Sequence, residues 1–137
     1  MKPSVRLAAL MKLNHLFIFS HDSIYVGVDS PTHQAIEHLN SLRLLPDIFT
    51  FRPANDMETA FAYLFFFRRM KGPVAIVTTR QKIKGEMFIE SFNRDRLYEQ
   101  FEKGAYIFYQ TEPAQEPDMI LSASGSELSL AYSTAKM

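Results

Sequence analysis

The residues best suited to chemistry crowd into one stretch, SHDSIYVGVDSPTHQ, from Ser20 to Gln34. His21, Asp22, Ser23, Asp29, Thr32, His33 and Gln34 all lie within it, and each can bond a polar or anionic ligand. Two arginines extend the pattern: Arg52 follows the apolar run ending at Phe51, and Arg80 follows PVAIVTT. If these runs and the one before His21 are parallel neighbouring strands, His21, Arg52 and Arg80 share one sheet edge. Two guanidinium forks and an imidazole on such an edge suit a phosphate. For Arg52 the simpler reading is preferred, pairing with local carboxylates or solvent in an Arg-Pro strand end. For His21 and Arg80 the phosphate reading and the solvated reading stand side by side.

Other chemistries fit less well. His21, Asp22 and Ser23 are consecutive, and successive side chains of an extended segment point to opposite sides, so they form no catalytic relay. His33 and Glu37 have the four-residue spacing of one helix face, but no third ligand stands nearby and no HExxH run exists. No metal-ligating set is expected. Asp29, Thr32 and His33 flank Ser30-Pro31, which fits an N-cap followed by proline at the first helical position. Free N–H groups there favour polar or anionic ligands. The plainer account is that Asp29 and Thr32 cap the helix and His33 is solvated.

The elements that must hold these residues follow from periodicity and punctuation. A helix is expected to end near Leu13, after about Val5, followed by a short strand at Leu16–Ser20. A helix from Ser30-Pro31 to about Leu44 would bury Ile36, Leu39 and Leu42, and Pro46 ends it. Ile48–Phe51 is a second strand. Asn55 with Glu58 makes a capping box for a helix through about Met70, unusually aromatic at Phe61, Tyr63, Phe65, Phe66 and Phe67. Pro73–Thr79, apolar on both faces in its first half, reads as a parallel strand covered by helices. Residues 81–103 are charged and read as a linker, helical near Leu97–Glu102. GAYIFYQ and MILSAS read as two more strands, and Ser124 with Glu127 as a capping box for a last helix.

The resulting expectation is an α/β fold: a partial parallel sheet with flanking helices in 1–80, a linker in 81–103, and the first elements of a second α/β domain in 104–137. Composition agrees with a globular chain: 137 residues, 47% hydrophobic, 22% charged, and no cysteine. A formal net charge of zero argues against nucleic acid as a partner, and no apolar run has the length of a membrane span. Arg6, Lys12, Asn14 and His15 interrupt the apolar start, which argues against a signal peptide. A cytoplasmic location is expected.

Several blocks together resemble the transketolase family. VRLAALMK is similar to the helix before that family's signature. SHDSIYVGVDSPTHQAIEHLNSLRLLPD resembles THDSIG-GEDGPTHQP-E-L-SLR--P, RPANDMETA resembles RPAD-NE-A, and GPVAIVTTRQ resembles GP-A---SRQ. GAYIFYQ and PDMILSASGSELSLA resemble the start of the family's C-terminal domain. Tyr25, Val28 and Ser30 stand where the pattern has glycine, glutamate and glycine.

The resemblance implies an incomplete thiamine diphosphate-binding-fold pyrimidine domain. It further implies transfer of a two-carbon ketol unit between sugar phosphates in the pentose phosphate pathway. His21 and Arg80 would bind the substrate phosphate, Asp29 a donor hydroxyl, and His33 would assist proton transfers. The cofactor would be thiamine diphosphate with a divalent metal, not bindable by this chain alone, because the activating glutamate and diphosphate domain lie outside it. No residue of the chain is assigned to cofactor or metal. The chain alone is expected to be inactive and to work as a homodimer, with the missing domains, or with a full-length subunit. The alternative is a non-catalytic remnant or paralogue acting by such association.

Overall fold

The computed structural model describes residues 2–22, 33, 36–69, 71–83, 94–113 and 115–137. The helix α1, Lys2–Leu10, buries Val5, Ala8 and Ala9, the spacing of one helix face. Lys12 (φ 52°) ends it: the Lys12 N–H bonds the Ala9 carbonyl and the Leu13 N–H the Ala8 carbonyl, satisfying carbonyls the helix leaves open.

Strands β1 (Leu16–Asp22), β2 (Phe49–Phe51) and β3 (Val74–Thr79) form one parallel sheet in the order β1-β3-β2. In β3, Val74, Ala75, Ile76 and Val77 are all buried, as a central parallel strand requires. Alternation splits them between two cores. Val74 and Ile76 pack with Ala62, Phe65 and Phe101, from α3 (Asp56–Arg69) and α4 (Arg94–Glu102). Ala75 and Val77 pack with Val5 of α1 and Leu42 of α2 (Ile36–Arg43). Helices therefore cover both faces, and the expected parallel α/β architecture is observed.

The capping box at α3 is formed. Asn55 Oδ1 accepts the Glu58 N–H at 2.8 Å, and Glu58 Oε2 accepts the Ala54 N–H at 2.8 Å. The other carboxylate oxygen of Glu58 accepts the Tyr106 hydroxyl at 2.5 Å. Burial, followed by that bond to a carboxylate, raises the pKa of the Tyr106 phenol well above its ordinary value.

Three expectations are corrected. Ile36 is exposed, so α2 buries Leu42 and partly Leu39 but not its first turn. In the aromatic helix, by contrast, Phe65 is buried and Phe61, Tyr63 and Phe66 pack against the core, while Phe67 is exposed. Residues 105–110 and 119–124 form no strands: the described sheet has three members, and an apolar run without a partner strand makes no ladder. Ser124 makes no side-chain cap; a short 3-10 turn, Gly125–Glu127, leads into α5 (Leu128–Ala135). Tyr132 of α5 packs edge-on against Phe108 and Tyr109, with the Lys136 ammonium 4.2 Å from its ring centre. Among the described residues no helix is long and apolar enough to cross a membrane.

Candidate functional site

All three strands point their carboxyl ends the same way, so the residues after them share the edge where α/β sheets hold ligands. At the end of β1 the ladder is irregular between Phe19 and Asp22, and pairing resumes at Asp22 with Thr79. His21 sits in this bulge with φ 67°, a conformation uncommon for a residue with a side chain, and is exposed. Arg80, also exposed, follows Thr79 directly. His21 and Arg80 thus flank a single paired position on adjacent strands. His33 is exposed, ahead of α2, and Asp29 lies outside the described residues with the rest of 23–32.

Arg52 turns the other way. Its side chain is 11% exposed, and Nε donates to Asp22 Oδ2 at 2.5 Å. Nη1 donates to the Ser124 carbonyl at 2.5 Å and to Glu127 Oε2. The preferred carboxylate pairing of Arg52 is therefore found, but with partners far along the chain. Burial alone would lower the arginine pKa; the bonds to Glu127 and Asp22 outweigh it and raise it. Burial alone would raise Glu127, but the bonds from Arg52 and from Ser126, whose hydroxyl donates at 2.9 Å, bring it below the ordinary carboxylate value. Gly125 makes room for this. It has φ 63°, and a Cβ there would lie 2.9 Å from the Arg52 guanidinium carbon.

Sequence reasoning missed a cleft of about 330 Å³ beside this edge, lined by Pro53, Asn55, Asp56, Thr59, Thr78, Thr79, Gln81 and Ile83. The available signal was the switch from apolar to polar at Thr78-Thr79, facing the polar first turn of α3. The Thr79 hydroxyl donates to Gln81 Oε1. Hydroxyls, amides and one carboxylate suit a hydroxylated ligand. The lining contains no cationic side chain for a diphosphate, and among the described residues no cluster of His, Asp and Glu is able to hold a metal.

The family pattern described as "Transketolase, pyrimidine binding domain" matches residues 1–86. Over 133 residues the chain is 41% identical to a transketolase of Aquifex aeolicus, covering 96% of this chain and 18% of that protein. A Staphylococcus aureus transketolase is 42% identical over 136 residues, covering 99% of this chain and 20% of the other. The fold matches a Pichia stipitis transketolase in complex with sedoheptulose-7-phosphate, with TM-score 0.82, 36% identity, and coverage of 98% of this chain and 18% of that one. A Campylobacter jejuni transketolase matches with TM-score 0.70 and 42% identity, over 82% of this chain and 17% of that one. The chain spans about a fifth of the length of these relatives.

Proposed function

The chain belongs to the transketolase family through its pyrimidine-binding domain, and on that premise we propose that it supplies one wall of a ketol-transfer site for sugar phosphates. The observation that supports the reading is the placement of His21 and Arg80 about the Asp22–Thr79 pair, at the carboxyl edge of the sheet. There an imidazole and a guanidinium address one phosphate. Asp29 would bond a donor hydroxyl and His33 would carry a proton near the reacting carbon. The hydroxyl-rich cleft would receive the polyol chain.

Thiamine diphosphate, as cofactor of the proposed reaction, supplies the carbanion stabilisation when bound. The cleft does not fit its diphosphate, since no cationic side chain lines it, and among the described residues no cluster of His, Asp and Glu offers a place for the divalent metal. The contribution proposed for this chain is to bind and orient the sugar phosphate and to hold a proton at His33. We place the reaction in the cytoplasmic pentose phosphate pathway, with the remaining domains or a second subunit completing the site, and the 137-residue chain inactive alone.

Calorimetry with ribose 5-phosphate tests the binding role. Wild type is expected to bind, and Arg80→Ala to bind about tenfold more weakly through loss of a bidentate donor. Equal binding by the two, or none by either, rejects the reading. The exposed Phe67 and the exposed apolar residues after Gly104 favour a second reading, a non-catalytic chain that associates with a full-length subunit. Binding to such a subunit with no effect of Arg80→Ala on ribose 5-phosphate would select it.

A further inference from the structure

His21 holds a backbone conformation that costs energy, and such conformations persist only where surrounding contacts over-determine them. The contacts that do so here converge on its neighbour. Asp22 is buried, resumes the ladder with Thr79, and gives its carboxylate to Arg52. A buried carboxylate needs a counter-charge; without one it turns to solvent. Turning Asp22 outward would undo the bulge, and a one-residue change of register exchanges the faces to which side chains point. Holding Asp22 inward therefore constrains the backbone at His21, the residue before it.

Arg52 is in turn held from the far part of the chain. Its second nitrogen is shared by the Ser124 carbonyl and the Glu127 carboxylate. The close approach is possible because Gly125 has no side chain to obstruct the guanidinium. The path from Glu127 to His21 is therefore continuous: carboxylate, guanidinium, carboxylate, bulge.

We propose that Glu127 and Arg52 are positioning residues for His21, so that the turn before α5 sets the orientation of a phosphate-binding imidazole at the end of β1. The functional half of this statement rests on the sugar-phosphate reading of His21; the geometric half does not.

Nuclear magnetic resonance on the 137-residue chain separates the two halves. The Cα and Cβ shifts of His21 report the sign of its φ, and the amides of Val74 to Val77 report whether the sheet is intact. In Glu127→Ala the His21 shifts are expected to move toward ordinary extended values while the four β3 amides stay in place. The affinity for ribose 5-phosphate should fall about tenfold. Glu127→Gln, which keeps an acceptor for Arg52, should restore part of both. Arg52→Ala should move His21 further; if that variant does not fold, the two Glu127 variants decide. Unmoved His21 shifts in a folded Glu127→Ala chain overturn the proposal. If wild type fails to bind ribose 5-phosphate while His21 still responds to Glu127→Ala, the phosphate reading falls and the positioning stands. Binding retained at wild-type strength in Glu127→Ala, with His21 displaced, overturns the functional half.

Discussion

Around β3 the burial is apolar and comes from every side. The Phe65 ring centre lies 4.9 Å from those of both Phe49 and Phe51, and Phe51 stacks on Phe101 at 5.0 Å. The stretch after Gly104 is different. Ile107, Met119 and Ile120 are 68%, 75% and 81% exposed, and α5 buries no residue. Its attachments to the sheet-bearing part of the chain include polar ones: the Tyr106 hydroxyl on Glu58 of α3, and Ser124 and Glu127 on Arg52 just after β2. Apolar packing is non-directional and stabilises a whole layer, whereas a hydrogen-bonded ion pair fixes the place of a few atoms. The first region makes the fold; the second region's contacts aim particular side chains within it.

The sharpest way to break the contrast is in the apolar half. Phe65→Ala should lower unfolding stability by about 3–5 kcal/mol, read as a lower midpoint in urea, because its ring fills the space between β2 and α3. Acid should act instead through the polar half. Glu127 has a folded pKa below its ordinary 4.5, so its contribution is present above that value and is lost as pH falls through the depressed one. Partial exposure limits the loss to about 1 kcal/mol. Urea midpoints measured from pH 6 down to pH 3 should show that step in wild type and not in Glu127→Gln. The smallest effect is expected from Ile120→Ser, within about 0.5 kcal/mol by the same denaturation, because the side chain already stands in solvent. A loss comparable to that of Phe65→Ala would mean that the second region has an apolar core of its own.

Local chemistry was legible in the sequence where the partners are local. The Asn55–Glu58 cap joins residues three apart and forms as its pattern requires. The doubly apolar start of β3 announced a strand buried on both faces, and the polar residues after the strands announced the edge. Long-range pairing was not legible. Ser124 and Glu127 have capping-box spacing, but Arg52, 75 residues before Glu127, takes the carboxylate. Residues 105–110 have strand composition, yet a ladder needs a neighbour that composition cannot supply. The bulge at His21 left no local mark either, since it arises where β1 regains register with Thr79, far away in the chain. The cleft was overlooked because its walls come from the starts and ends of different elements.

The close fit of Gly125 beneath the Arg52 guanidinium also constrains descent. Any side chain at position 125 meets both a left-handed backbone and an occupied space. Arginine at 52 therefore adds a steric demand for glycine at 125 to the one the left-handed backbone already makes, while its loss would lift only the steric one and strand the carboxylates of Asp22 and Glu127. A lineage that abandons arginine at 52 should therefore be found to have changed the carboxylates at 22 and 127 as well.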